Sequence, residues 1–411
     1  MTVLITILGR PQKDANNCYR KTRYRFGDND ITEPLTFFGW ALQQRIKPET
    51  LIILGTAGSA WDHLIEGDID LGQVELEGRE ALLTSSERGE VSQQQLNQLA
   101  PYLSSGLNSE VRLVIIPYCR NETEQMELLR IIADQVGQGE KVQLDVTHGF
   151  RHLPMLALMS SLYLRQVKEA DVTRIWYGAY DPDTGNAPVH DLTGLLRLAD
   201  GIQALNSFDK DGDYGVFVPL LQHSGVAANI TEPLGRAAYY ENILNVGAAT
   251  GELRKARKAM DESELPPDIS LLLPTILQRL DWVAEERQFE KQRHLAGKAL
   301  QRRDYLRTVL YAYETVITRI CQIRQINVSD FEGRENARKK YEDAVKKVGG
   351  EEYDNYKMLK NLRNQVAHGT RGDIQRVQQA LLNETVMREV LEKLLSQIGQ
   401  QQLPDKNTIN S

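Results

Sequence analysis

Cysteine is scarce in this 411-residue chain, and the three present, Cys18, Cys119 and Cys321, are widely separated and odd in number. None is accompanied by paired Cys or His at metal-ligand spacing, which argues against a disulfide framework or a thiolate metal site and predicts a reducing, cytoplasmic setting. Long hydrophobic runs are missing too. Stretches such as Val3–Leu8 and Met155–Leu164 fall well short of the roughly 20 apolar residues a membrane span needs, so no membrane association is expected. The opening MTVLITILGRPQK lacks a basic segment before its apolar run and a small-residue cleavage site after it, and reads as a first strand rather than a signal peptide. Nor is there an excess of positive charge. A net charge of -7 and a pI near 5.7 exclude broad, sequence-blind attraction to nucleic acid, so any nucleic-acid site must be local.

What the chain does contain is an ordinary globular balance, 41% hydrophobic and 26% charged residues, over a length greater than one hydrophobic core usually supports. Two domains are expected, an α/β domain over residues 1–200 and a helical one over 201–405. In the first half, β-rich apolar runs at Val3–Leu8, Leu51–Leu54, Val111–Ile116, Val142–Val146 and Val172–Tyr177 alternate with helix-compatible segments. Those segments, Leu35–Arg45, Ser92–Leu103, Glu122–Val136 and Leu153–Val167, space their apolar residues by three and four. The alternation predicts an α/β fold, a parallel-type sheet with helices on both faces. From Asp191 onward helix-favouring residues dominate, through Leu192–Phe208, Tyr239–Met260, Leu271–Ala296, Leu300–Arg324 and Ala337–Val348. Turn residues place the division near Ser207–Gly215, with a further exposed break at Asp261–Asp268. The last residues, QQLPDKNTINS, read as a frayed tail.

Ligands of open parallel sheets bind beyond the carboxyl ends of the strands, so the loops there carry the first candidates. The first strand ends in Leu8-Gly9-Arg10, and the second in Gly55-Thr56-Ala57-Gly58-Ser59 ahead of a helix expected at Ala60. Small residues let backbone N–H groups approach a phosphate, and a helix start adds partial positive charge, although tight strand-to-helix turns need the same glycines. The fourth strand runs into Asp145-Val146-Thr147-His148-Gly149-Phe150-Arg151, which concentrates acceptors, donors and a cation in one turn. Thr147 and the Gly149 amide can donate to phosphate or ribose oxygens, Arg151 can pair with phosphate, Asp145 can accept, and His148 can stack or donate. Capping of a helix starting near Phe150 by Asp145 and Thr147 explains part of the same pattern and is compatible with binding. Trp176, Tyr177 and Tyr180, at the end of the fifth strand, offer aromatic surface to a base, though sheet packing accounts for Trp176.

The run LDVTHGFRHLP resembles the DxTHG signature of CRISPR-associated proteins whose N-terminal Rossmann-like CARF domain binds cyclic oligoadenylate. The resemblance implies a dimer in which a ring ligand, tetra-adenylate being the usual choice, sits across the two-fold axis. It makes Gly9, Arg10, Gly55, Thr56, Ala57, Gly58, Ser59, Asp145, Thr147, His148, Gly149 and Arg151 the sensing residues.

A second constellation lies on a helix beginning near Tyr353, whose stripe of Leu359, Leu362 and Val366 faces a core and which Gly369 stops. At about 100° per residue, Asn364 and His368 share a face and Arg363 lies to one side. Histidine can move a proton near neutral pH, and a guanidinium can hold phosphoryl oxygens, so the pair suits phosphodiester cleavage. If the 2′-OH of RNA attacks, no metal is needed. Spacing alone is weak, but RNxxAHG resembles the R-x4-H motif of HEPN ribonucleases, with Asn directly after Arg as is common there. That resemblance implies Arg363, Asn364 and His368 as catalytic residues, contributed by two copies face to face, with single-stranded RNA as substrate. Together the motifs imply a type III CRISPR ribonuclease switched on by cyclic oligoadenylate, a homodimer or a higher oligomer of dimers, with no cofactor. Two other readings stay open: a non-catalytic sensor that recruits a partner, and a sensor that also cleaves its ligand, with Thr56 and Thr147 near a ribose. The basic stretches Arg334–Lys347 and Lys357–Lys360 either guide RNA or are solvated helix faces.

Overall fold

The computed structural model describes residues 1–10, 19–65, 78–148, 153–369 and 374–410. Cys18, Gly149, Phe150 and Arg151 lie outside the described residues. The chain divides into two compact units, Met1–Leu196 and Arg197–Ser411. The turn-rich segment at Ser207–Gly215 does not mark this division. Its glycine at position 212, with φ 76°, ends a helix inside the second unit, because left-handed backbone stops a helix without separating two cores.

In the first unit, strands β1 (Thr2–Ile7), β2 (Arg23–Gly27), β3 (Asp30–Ile31), β4 (Thr50–Gly55), β5 (Glu110–Ile115), β6 (Lys141–Asp145), β7 (Asp171–Gly178) and β8 (Asn186–Asp191) form one sheet in the order β3-β2-β8-β7-β6-β1-β4-β5. The pairs β1–β4, β1–β6, β4–β5, β6–β7 and β2–β8 are parallel, whereas β7–β8 and β2–β3 are antiparallel. The sheet is therefore mostly parallel. Its central strands are apolar on both sides because each side meets a different core. Leu4, Leu51 and Ile53 join one cluster, and Val3, Ile5, Ile7, Ile52 and Leu54 the other. Alternation along the strand assigns the two sets to opposite faces.

Helices α1 (Phe38–Ile46), α2 (Arg79–Arg88) and α3 (Gln93–Leu107) supply the first cluster, and α4 (Glu122–Gln135) and α5 (Leu153–Val167) the second. Helix starts follow local chemistry. Ser92 and Gln95 form a reciprocal capping box on α3, and the Asn121 side chain caps α4. Strands β2, β3 and β8 have no counterpart among the expected runs, since RYRFG alternates Arg with aromatics and NAPVHD is mostly polar.

The second unit is helical: α6 (Gly194–Asp211), α7 (Phe217–His223), α8 (Ala228–Asn242), α9 (Val246–Asp261), α10 (Pro267–Arg279), α11 (Gln288–Gln301), α12 (Tyr305–Ile323), α13 (Phe331–Val348), α14 (Gly350–His368), α15 (Gln375–Leu382), α16 (Glu384–Gly399) and α17 (Lys406–Asn410). The expected helix Tyr239–Met260 is broken at Leu244, φ 63°, after which Asn245 caps α9. Leu271–Ala296 is likewise split between α10 and α11 by a short 3-10 turn at Asp281–Ala284. Helices α15 and α16 were not foreseen.

The tail is not frayed. Leu403 and Ile409 are fully buried in the helical core, Thr408 donates to Glu352 at 2.6 Å, and Arg324 donates to the Ile409 carbonyl at 2.6 Å. Apolar burial with satisfied polar partners holds a terminus that composition alone marks as loose. Ile409→Ala removes a fully buried side chain and is expected to lower the stability of this unit by about 2–5 kcal/mol. Urea unfolding followed by circular dichroism measures it, and an unchanged midpoint would show the tail to be dispensable.

Candidate functional site

At the carboxyl ends of β1, β4 and β5 the chain leaves a cavity of about 430 Å³, lined among others by Gly9, Arg10, Thr56, Gly58 and Ser59. Its construction is local. The Ser59 hydroxyl donates to the Leu8 carbonyl at 2.7 Å and accepts from the Thr56 amide at 2.9 Å, so one side chain ties the ends of β1 and β4 together. The Ala60 amide donates to the Gly9 carbonyl at 3.0 Å, and the Trp61 indole N–H to the Thr56 carbonyl at 2.8 Å. Glycine is required by close approach: a Cβ on Gly55 would stand 2.6 Å from the Trp61 ring, and one on Gly58 2.7 Å from Tyr118 Oη. The helix expected at Ala60 is a single 3-10 turn, Trp61–Leu64.

Six cavity residues escaped the sequence reading: Ile7 and Leu8 at the end of β1, Arg88 and Gly89 at the end of α2, and Ile116 and Tyr118 after β5. Tyr118 carried a usable signal, because Pro117-Tyr118-Cys119 follows the third expected strand as the other loops follow theirs. Arg88 had none, lying at a helix end with no expected strand before it. Arg10 and Arg88 are both exposed, and Arg10 donates to the Glu87 carbonyl at 3.2 Å. Two guanidiniums beside glycine-walled backbone suit an anionic ligand with planar groups. Ala57 does not line the cavity. The Thr56 hydroxyl is buried and lies 3.3 Å from Ser59 Oγ.

The described residues of the DxTHG turn do not line this cavity either. They lock the end of β6. Asp145 is buried, accepting from the Thr6 hydroxyl at 2.6 Å and the Thr147 amide at 2.8 Å. The Thr147 hydroxyl accepts from the Gly178 amide at 2.8 Å. His148 lies against Phe37, with ring centroids 5.7 Å apart, and its Nε2 accepts from the Phe38 amide at 3.4 Å. An accepting Nε2 places the proton of the neutral ring on Nδ1. Trp176 donates to Gln143 at 2.8 Å and packs within the sheet, as its sequence context suggested.

Burial pushes the Asp145 carboxyl up to about 6, against the pull of its hydrogen bonds from Thr6 and Thr147. Burial, with the neighbouring His63, pushes His148 down to about 4. The two residues act on stability with opposite signs. For Asp145 the folded value lies above the unfolded one, so its contribution is present below about pH 4 and is lost as pH rises through about 6. For His148 the folded value lies below the unfolded one, so its contribution is present above about pH 6.5 and is lost as pH falls through about 4. The urea midpoint of Asp145→Asn, relative to wild type, should therefore improve as pH rises from 4 to 7. That of His148→Gln should improve as pH falls across the same window. Parallel pH profiles for wild type and both variants would contradict the two assignments.

In the second unit, α14 carries the other constellation to its last turn, where Gly369 takes φ 64°. Asn355, Tyr356, Met358, Leu359, Leu362 and Gln365 face the core. Arg363 and Asn364 are half-buried and His368 is exposed. The Arg363 guanidinium lies 5.4 Å from the Tyr313 ring centroid and donates to Asn364 Oδ1 at 3.0 Å. Asn364 is thus engaged by Arg363 rather than by His368, and His368 has no hydrogen-bond partner among the described residues. Tyr313, on α12, could not be linked to Arg363 from the sequence, because fifty residues separate them.

The nearby basic stretches are neutralised in part. Arg338 binds Glu335 at 2.6 Å and Glu342 at 2.7 Å, Lys360 pairs with Glu342, and Arg334 with Glu314. Among the described residues no group of three or more His, Cys, Asp or Glu side chains is placed to hold a metal, and no helix is long and apolar enough to cross a membrane.

The first unit is thus a mostly parallel sheet with a cavity at its strand ends and the Asp145–His148 turn closing β6. The family model described as "CRISPR system endoribonuclease Csx1, CARF domain" matches residues 3–182. The match lies within the first unit, Met1–Leu196, which is similar to the CARF domain of that family. The chain is also similar to CRISPR-associated protein MJ1674 of Methanocaldococcus jannaschii, at 22% identity over 401 residues, 90% of this chain and 62% of that relative's length. A solved structure, Enterococcus italicus Csm6 bound to cyclic hexa-2′-fluoro-hexa-dAMP, aligns over 100% of this chain and 99% of its own at 12% identity, with a TM-score of 0.37.

Proposed function

We propose that this protein is an endoribonuclease switched on by cyclic oligoadenylate, in which the CARF unit binds the ligand and the helical unit, as a HEPN domain, cuts single-stranded RNA. The observation that carries the reading is the end of α14: an exposed imidazole and a half-buried guanidinium five residues apart, in a chain whose other unit is similar to a CARF domain. The cavity at the strand ends supports the ligand class, since Arg10 and Arg88 can meet phosphates while Gly58 and Gly89 let backbone approach.

The chemistry follows from these side chains. A neutral imidazole takes the proton of a ribose 2′-OH as that oxygen attacks the adjacent phosphorus. The P–O5′ bond breaks, leaving a 2′,3′-cyclic phosphate on one fragment, and the departing 5′-oxygen takes up a proton to become a hydroxyl. Arg363 holds the non-bridging oxygens as negative charge develops on the phosphorane. Because the nucleophile belongs to the RNA, the step requires no metal-bound water.

A second copy would supply the other imidazole. On α5, Met155, Met159, Tyr163 and Val167 are exposed at spacings of four, so a stripe of large apolar side chains faces solvent on the free chain. Such a stripe suits pairing of two identical units and gives a ring ligand two related half-sites. Gating is then a population shift: ligand favours the dimer arrangement in which Asn364 leaves Arg363 and the catalytic groups converge.

His368→Ala and Arg363→Ala should each reduce ligand-stimulated cleavage of a fluorescent RNA at least a hundredfold, with EDTA leaving the wild-type rate unchanged. Full activity in His368→Ala would overturn the catalytic assignment. Cleavage equally fast with and without cyclic tetra- or hexa-adenylate would overturn the gating.

A further inference from the structure

Strand β2 and its neighbours present a surface outside both the strand-end cavity and the end of α14. β2 pairs in parallel with β8, setting Arg23 beside Asn186 and Arg25 beside Pro188, and β8 pairs antiparallel with β7, setting His190 opposite Tyr177. Period-two alternation puts Arg23, Arg25, Pro188, His190 and Tyr177 on one face, while Tyr24 and Ala187 point into the core on the other. Arg23, Arg25, His190 and Tyr177 are all exposed, so no helix among the described residues covers this end of the sheet. The Tyr177 and His190 rings are stacked, 6.4 Å between centroids at 24°. At the hairpin that joins β7 to β8, the Arg20 guanidinium lies 4.0 Å from the Tyr180 ring centroid.

Charge sharpens the pattern. The protein as a whole is acidic, at -7, yet Arg23 and Arg25 have no carboxylate partner among the described residues. Three acids of the neighbouring strands and hairpin are engaged elsewhere: Asp30 with Arg45 at 2.6 Å, Asp191 with Arg174 at 2.7 Å, and Asp181 with the Asp183 amide and the Thr184 hydroxyl of its own turn. Unpaired guanidiniums beside flat, exposed rings on an open strand face combine what a single-stranded polynucleotide needs, cations for phosphates and platforms for bases. An acidic peptide would use the arginines and leave the rings idle. The face also lies apart from the strand-end cavity, since β6 stands between β7, its last strand, and β1 in the sheet.

We infer that the β2–β8–β7 face of the first unit is a binding surface for single-stranded RNA, a platform that holds a strand independently of both the ligand cavity and the catalytic residues. The choice of RNA over other polynucleotides rests on the proposed ribonuclease reading. The existence of the surface does not.

The test is fluorescence anisotropy on the full-length protein with a labelled 20-nucleotide RNA carrying 2′-O-methyl groups throughout, which can be bound and not cut. Arg23→Glu/Arg25→Glu should weaken binding at least tenfold and lower the salt dependence by about one to two phosphate equivalents. Tyr177→Ala/His190→Ala should weaken it severalfold with the salt dependence unchanged. Arg23→Gln/Arg25→Gln, a milder change at exposed positions, guards against a folding defect and should fall between wild type and the reversal. Affinities within twofold of wild type in the charge-reversal and aromatic variants would overturn the proposal. So would equal affinity for a double-stranded RNA of the same sequence, or failure of the wild-type protein to bind at micromolar concentration. Because binding is read without cleavage, an inactive Arg363–His368 pair would leave the outcome unaffected.

Discussion

The hydroxyl of Ser59 holds the first unit's strand ends in place. It donates to the Leu8 carbonyl and accepts from the Thr56 amide, so the last turn of β1 and the loop after β4 share one buried polar atom. With that link made, Gly55 can stand against Trp61, Gly58 against Tyr118, and a cavity opens between the strand ends. An unpaired hydroxyl or amide in such a buried place is costly, which fixes the loop as firmly as apolar packing fixes the sheet. On β6 the Asp145 carboxylate does the same, joining Thr6 of β1 to Thr147.

This division of labour separates shape from recognition. The DxTHG turn, whose residue types suggest a ligand-binding segment, spends its described polar groups on protein partners: Asp145 on Thr6 and Thr147, Thr147 on Gly178, His148 on the Phe38 amide. The exposed cations beside the cavity are Arg10 and Arg88, one from a strand end and one from a helix end. Charge is handled alike in the helical unit. Arg338, Lys360 and Arg334 are tied to glutamates, while among the described residues Arg363 is held by an aromatic ring and an amide oxygen. A guanidinium without a carboxylate partner keeps its charge available for a phosphoryl group.

Much of this was legible in the chain. Central strands such as Val3–Leu8 and Leu51–Leu54 are continuous apolar runs because both faces of the sheet are covered, and the two motif-bearing segments are contiguous. Apart from Tyr118, which follows an expected strand, what escaped had little local signature. β2 alternates charge and aromatics instead of forming an apolar run, and Tyr313 meets Arg363 only through the packing of α12 against α14. The break at Leu244 depends on a left-handed residue that is not glycine, and the last helix is held by Glu352 and Arg324 from far up the chain. Propensity cannot register partners that tertiary structure brings together.

The central claim is that occupancy of the strand-end cavity changes the state of the Arg363–His368 pair. Amide hydrogen exchange on the full-length protein, with and without cyclic tetra-adenylate, reads both places at once. The account predicts altered exchange in the peptides that carry Gly9, Gly58 and Gly89 and, in the same experiment, in the peptide that spans Arg363–Gly369. Protection confined to the cavity loops at saturating ligand, with the end of α14 unchanged, would contradict it.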